Sequence, residues 1–394
     1  MRTLLRLIGL VTGLILAMPA LAQDKVLSVA VVTRAKPPSQ PVSRLDDVVT
    51  EEGAAGARLG IADNQTTGRF TGQRFVLVEK RLDRDEDPVL AIRALADDGI
   101  GLVIAATDGA TLGALARVAA TRNILLLNAG APDDSLRNEA CSRDTLHTLP
   151  SRAMIADGLA QYFAFKRWKR WFLVTGRQPG DRELAEAYRL AARKFGMEIV
   201  AEKDWTFQPG NGRTDTGHVQ LQTEIPTFTQ GPDYDVLVVA DEAGEFGDYL
   251  EGRTARPRPV AGTHGLVATG WSPVTEQWGA TQLQNRFEKQ ANRRMTSIDY
   301  AAWAAARAIG EAAFRTKSTD PGTIEAYMRS QDFLLSGFKG QGQGFREWDG
   351  QMRQPILIVN QRLLVSASPQ AGFLHRGSEL DSLGTDKDES RCKF

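Results

Sequence analysis

The chain has 394 residues, 48 of them Lys or Arg and 48 Asp or Glu, and 42% are hydrophobic. Balanced charge leaves no basic surplus for nucleic acid and no acidic tail of note. The length exceeds what one hydrophobic core usually serves and implies two lobes.

Residues 1–22, MRTLLRLIGLVTGLILAMPALA, carry Arg2 and Arg6, a short apolar run, Pro19 and a small-x-small ending at Ala20 and Ala22. This is the pattern of a secretory signal peptide, with cleavage expected before Gln23, and it predicts an exported, soluble mature chain. Removing its two arginines leaves 46 basic residues against 48 acidic ones. No later stretch is apolar enough to cross a bilayer. Cys141 and Cys392 are the only cysteines. In an oxidising compartment they are candidates for a disulfide that ties the C-terminal tail to the body, unpaired thiols being the alternative.

From residue 25 onward, short β-rich runs alternate with amphipathic helices. VLSVAVV predicts a first strand, followed by a Gly/Ala-rich helix from about Asp46 to Asn64 and a strand in RFVLVEKRL. Asp87 and Pro88 open the next helix as cap and first helical residue. IGLVIAA, a helix in ATLGALARVAATRN and ILLLNA complete a first unit. Ser151 then caps RAMIADGLAQYFAFKRW, and the alternation restarts with RWFLVTG, DRELAEAYRLAARKFG, MEIVAEKDW, YDVLVVADE and PVAGTHGL. Strands without a polar face, separated by helices, are parallel and covered on both sides. Beyond residue 280 come a long helix in SIDYAAWAAARAIGEAAFRT and paired strands around a turn at Asp349-Gly350.

The expected fold is therefore α/β, with two doubly wound parallel-sheet lobes joined by a multi-strand hinge. Lobe one takes residues 25–149 plus about 280–333, lobe two 150–279 plus about 334–366, and residues 367–394 form an extended tail.

GLVIAATDGAT, ILLLNAGAP, YDVLVVADEAGEFG, DYAAWAAARAIGEAA and GFKGQGQGFREWDGQ resemble segments of type I periplasmic solute-binding proteins of the branched-chain-amino-acid transporter kind, over nearly all of residues 25–366. HTLPSRAM, WGATQLQNRF and FREWDGQMRQPI resemble, more narrowly, the solute-binding subunit associated with alcohol oxidation systems that depend on pyrroloquinoline quinone (PQQ). The resemblance implies a periplasmic, non-catalytic protein that hands a small anionic ligand to an inner-membrane ABC permease. It requires no cofactor of its own, and PQQ or a related compound of alcohol catabolism is the expected ligand. Amino-acid binding, or a sensor feeding a membrane receptor, are the alternatives.

In open α/β sheets ligands sit beyond the carboxyl ends of the strands. In lobe one that rule nominates Arg34 and Lys36, then Thr107, Asp108 and Thr111, then Asn128, Gly130 and Ala131. In lobe two it nominates Arg177, Asp241 and Glu242. Arg152 adds a cation and Trp271 an aromatic platform for a flat tricarboxylate, which needs arginine forks and a stacking face. The amino-acid-binding relatives have a threonine where Ala131 and Pro132 stand here, which weakens a plain amino-acid ligand. DRDEDP, residues 83–88, starts like a calcium loop, but Pro88 stands where glycine is needed and Ala94 where the bidentate glutamate belongs. No nucleophile elbow, zinc-protease motif or phosphate-binding glycine loop occurs.

Overall fold

The computed structural model describes residues 25–36, 48–206 and 215–393, with the side chains of 215–221 left out. The signal peptide expected at residues 1–22, and Asp46, lie outside the described residues.

Two sheets form two lobes. The first has the order β2-β1-β3-β4-β5 and is wholly parallel. Its strands are β1 (Lys25–Arg34), β2 (Gln73–Leu82), β3 (Leu102–Ala106), β4 (Leu125–Asn128) and β5 (Thr145–His147). Alternation along β1 explains why it has no polar face. Leu27, Val29 and Val31 enter a core shared with α1 (Ala54–Thr71) and α9 (Ser297–Thr316). Ala30 and Val32 enter a second core with α2 (Pro88–Asp97) and α3 (Gly109–Arg122). Period-two geometry sends neighbouring residues to opposite faces, and both faces are covered. α2 starts as its sequence dictates: Asp87 accepts from the Val89 amide at 2.9 Å and Pro88 is the first helical residue.

The second sheet has the order β14-β13-β10-β9-β8-β6-β7. Its parallel strands are β6 (Arg170–Thr175), β7 (Glu198–Asp204), β8 (Val236–Ala240), β9 (Val260–Gly262) and β10 (Leu266–Thr269). Trp171 and Leu173 pack under α4 (Arg152–Lys166) and α5 (Pro179–Lys194), while Phe172 and Val174 pack on the other face with Trp205, Ile225 and Phe246. β13 (Ile356–Val359) and β14 (Leu364–Ser368) add antiparallel strands to its edge.

The chain crosses between lobes three times. The crossings run through residues 148–151, 269–271 and 353–355; the first and third are bonded to each other, and the second to lobe one. Gln351 donates to the carbonyl oxygens of His147 and Leu149, and Gln354 to that of Thr148 at 2.8 Å. Trp271 donates its amide to the Ser297 hydroxyl, which also meets Thr269 at 2.7 Å.

Several boundaries differ from those the sequence suggests. PVAGTHGL holds two short strands, because Gly265 adopts φ 71° and breaks the run. The turn at Asp349-Gly350 carries only an isolated bridge between Phe345 and Met352. The regular hairpin is one turn later, where Asn360 accepts from the amides of Arg362 and Leu363. Trp271, Leu335, Phe345 and Met352 belong to the lobe-one core, so the last crossing comes near residue 354 rather than 334.

The tail is not extended. It turns through a short 3-10 segment, Glu379–Ser382, and buries Leu383 in the lobe-two core. It returns to lobe one through a disulfide between Cys392 and Cys141, whose Cα atoms are 5.7 Å apart.

Candidate functional site

A crevice of about 410 Å³ opens where the hinge meets the carboxyl ends of β8 and β9. Its walls come from both lobes and the hinge. The first crossing supplies Leu149 and Pro150, and the lobe-one loop before it supplies Pro132. α4 supplies Arg152 and Ile155, and α5 supplies Leu184 and Tyr188. The strand ends supply Asp241, Glu242, Thr263, His264 and the run from Val267 to Gly270, with Ser297 completing the rim. Volume and mostly apolar lining fit a small organic molecule held by few polar groups. A neighbouring hollow of about 310 Å³ shares Thr263, His264, Val267 and Thr269 and adds Asp248, Trp271, Ser272 and Asn360.

The polar centre is Arg152. Its Nε and one Nη donate to the two carboxylate oxygens of Glu242 at 2.9 and 2.8 Å, a bidentate fork. Its other Nη lies 2.7 Å from Glu183 and 3.7 Å from Asp133. Burial pushes the Glu242 carboxyl above its ordinary range, against the pull of Arg152. Gly180 makes this packing possible: a Cβ there would lie 2.6 Å from a Glu242 oxygen and 3.4 Å from an Arg152 nitrogen. Gly180, Leu184 and Tyr188 are spaced by four, so one face of α5 forms the wall. Tyr188 is 1% exposed, and its hydroxyl has no hydrogen-bond partner among the described residues. Burial first, and the charge of Glu242 second, hold its phenol above the usual range.

Of the residues nominated from sequence, Arg152, Asp241 and Glu242 line the crevice, and Trp271 lines its neighbour. Asp241 is occupied: it accepts from the amides of Glu245, Phe246 and Gly247 and shapes the loop after β8. Trp271 is no open platform, being 3% exposed, stacked on Tyr300 at 4.7 Å and bonded to Gln284.

The remaining nominees are held elsewhere. Arg34 donates to the carbonyl oxygens of Arg84 and Glu86 and pins the loop before α2. Lys36 pairs with Glu52 at 2.5 Å. Arg177 donates to the carbonyls of Trp205 and Thr206. A strand's end puts a residue on the correct rim, but a long side chain then turns to the nearest unpaired backbone carbonyls. Asp108 caps α3 through the amide and hydroxyl of Thr111, at 2.9 and 2.8 Å. Asn128 accepts from the amides of Gly130 and Ala131, and Ala131 is fully buried. Gly130 lies against Thr107, so the β3 and β4 loops form one patch, which meets the crevice at Pro132 and, through Asp133, at Arg152.

Residues 83–88 close on themselves, Asp87 as a helix cap and Glu86 paired with Lys80. Among the described residues no group of three His, Cys, Asp or Glu side chains could hold a metal ion, and no described helix is long and apolar enough to cross a membrane.

Sequence reasoning missed Glu183, Leu184 and Tyr188. The strand-end rule does not reach them: Leu184 and Tyr188 stand on the inward stripe of an amphipathic helix, and the exposed Glu183 meets Arg152 from beside it. The available signal was Tyr188, a large side chain with a polar tip on an otherwise alanine-rich buried face.

The family model described as periplasmic binding protein matches residues 46–219. Comparison of the sequence with curated proteins returns no match. Among solved structures, a periplasmic binding protein from Burkholderia mallei is 16% identical, with 94% of this chain and 98% of that one covered and a TM-score of 0.66. A leucine-, isoleucine-, valine-, threonine- and alanine-binding protein from Brucella ovis, in a closed conformation, is 15% identical, with 88% and 93% covered and a TM-score of 0.65. A solute-binding protein of an ABC transporter from Rhodopseudomonas palustris, in complex with 3,4-dihydroxybenzoic acid, is 14% identical, with 87% and 97% covered and a TM-score of 0.60. The class is thus defined at the level of architecture, as two parallel-sheet lobes around a hinge-side crevice. In fold, the chain is similar to the periplasmic binding proteins among these structures.

Proposed function

We propose that this protein is the periplasmic substrate-binding component of an ABC-type importer, and that it takes a small molecule into the crevice between its lobes. The observation that carries this reading is the position of the crevice. It lies at the strand ends of lobe two and is walled on one side by the hinge, so rotating lobe one about the three crossings would cover a bound molecule. The β3 and β4 loops, Thr107–Gly109 and Ala129–Gly130, are the lobe-one surfaces that would descend on it. The protein binds and releases rather than converts, and its partners are the ligand and an inner-membrane permease. Export through the leader at residues 1–22 would deliver it to the periplasm.

PQQ receives little support as the ligand. Three carboxylates need several convergent cations, but Arg34, Lys36 and Arg177 are bonded away from the crevice, and Arg152 already faces three acids. A smaller molecule with an apolar body fits the lining better.

A thermal-unfolding screen with leucine, benzoate, benzyl alcohol and PQQ tests the reading, using the wild type beside Ile155→Trp. The indole of that variant would occupy the crevice. At least one compound should raise the wild-type midpoint and leave the variant unmoved. Compounds that shift both proteins equally would place binding outside the crevice.

A further inference from the structure

The C-terminal tail grips both lobes at points away from the three crossings. On lobe two it is held by α4 and by the end of α5. Gln161 accepts from the Gln370 amide at 3.0 Å and donates to the Ser382 carbonyl at 3.3 Å. Asp157 accepts from the Gly384 amide at 2.8 Å, and Lys194 donates to the Gly384 carbonyl at 2.9 Å. Gln161 stands about 15 Å along α4 from the first crossing, at 1.5 Å of rise per residue.

On lobe one the same stretch of tail meets two arginines. Arg346, next to Phe345 of the lobe-one core, donates to Asp381 at 2.8 Å and to the carbonyls of Leu380 and Leu383, and both charged side chains are buried. The Nε of Arg353 reaches both oxygens of that carboxylate, at 2.9 and 3.0 Å. The end of the tail is then fixed covalently: Cys392 is bonded to Cys141, and the Arg391 amide donates to Asn138 at 2.6 Å. The receiving loop is itself held, because buried Arg137 donates to Gln351 and to the carbonyls of Ala131, Asp133 and Leu149.

Between Gly384 and Arg391 the chain folds into a turn. The Asp386 carbonyl accepts from the amides of Glu389 and Ser390, and its carboxylate meets His375 at 3.0 Å. A rotation that carries α4 away from Cys141 must break this turn or draw Asp381 off its arginines. Leaving a buried charge without its partner is strongly unfavourable. The crossings alone permit rotation about the hinge, whereas a further tie set off from them opposes it.

We infer that the disulfide-closed tail is a strap that restricts how far the lobes rotate against each other, so that the ligand-free protein rests within a narrow range of openings. Such a restriction reduces the conformational freedom that closure on a bound molecule has to remove. The strap acts on the lobes themselves and does not depend on which molecule the crevice takes.

Pulsed electron resonance between nitroxides tests this, with the labels carried on ketone-bearing phenylalanine analogues so that both cysteines stay untouched. One pair replaces the exposed Phe70 and Phe165 and spans the lobes; a second replaces Phe165 and the exposed Leu190, both on lobe two. In the oxidised wild type the cross-lobe distances should be narrowly distributed. Cys392→Ser should broaden them and leave the pair within lobe two unchanged. Reducing the folded wild type with a phosphine, with loss of the disulfide checked by alkylation of the thiols, should give the same broadening without any substitution in the tail. Equal cross-lobe widths with and without the disulfide would overturn the inference. Broadening of both pairs would overturn it as well, since the tail would then only support the packing of lobe two. So would a broadening in Cys392→Ser that reduction fails to reproduce.

Discussion

Asp157 shows how a single buried group records its surroundings. It lies on α4, accepts from Lys194 at 2.7 Å and from the Gly384 amide at 2.8 Å, and burial pushes its carboxyl from the ordinary 3.8 up to about 6. In the unfolded chain the same group loses its proton near pH 4. Between about pH 4 and 6 the folded protein therefore binds more protons than the unfolded one, so stability falls as pH rises through that window and is level above it. A carboxyl displaced that far costs the folded state about 3 kcal/mol at neutral pH. Asp157→Asn removes this slope. The difference in unfolding midpoint between Asp157→Asn and wild type should move in the variant's favour from pH 4 to pH 6 and then stay constant. A difference that does not change with pH would show that Asp157 titrates normally. Arg152 invites a second test at this scale. Arg152→Ala leaves Glu242 half-buried beside Asp133 and Glu183 with no cation, and should cost about 2–4 kcal/mol in urea unfolding.

Among the elements, the tail departs most from what its sequence announces. The tail reads as extended, yet Arg346 holds it from below: its guanidinium donates to Asp381 and to the carbonyls of Leu380, Leu383 and Thr385. Lobe two grips it through Leu383 and the Gly384 amide, and lobe one through the Cys141–Cys392 disulfide. The tail is thus a fourth covalent path between the lobes, closing a loop of 251 residues. Cys392→Ser should lower stability by about 2–4 kcal/mol in the oxidised protein and by nothing once both proteins are reduced. Equal stability under oxidising conditions would mean that the tail contributes no constraint.

The β strands were legible because covering both faces demands unbroken apolar runs, as in Leu125–Leu127. The caps were legible because Asp87 and Ser151 act within three residues of themselves. The crevice was legible only in part, for the same reason. A strand end fixes where a backbone points, which was enough for Asp241 and Glu242. It does not fix where Arg34 or Arg177 will find carbonyls, and it is silent about α5, whose Tyr188 reaches the site through tertiary packing alone. The crossing near residue 354 was hidden because Phe345 and Met352 would satisfy either core.

For the whole molecule, the account requires the hinge to be a device rather than a mere connection. Gln351 and Gln354 tie the first and third crossings together, and Ser297 ties the second to lobe one, which favours rotation of the lobes as units. Buried Lys339 adds to that tie. It donates to Gln354 at 2.6 Å, lies over the Tyr300 ring, and is held well below the ordinary lysine range by burial. A ligand stabilises the closed arrangement only to the extent that it binds that arrangement better than the open one. Lobe-one contacts from Thr107–Gly109 and Gly130 are the candidates for that difference.

The most direct test is a crystal structure of the protein grown with benzyl alcohol or whichever screened compound gives the largest thermal shift. The account predicts density for the compound beside Glu242 and Tyr188, walled by Leu184 and Val267, with the β3 and β4 loops moved down onto it. A compound bound away from these residues, or bound among them with the lobes unmoved, would contradict it.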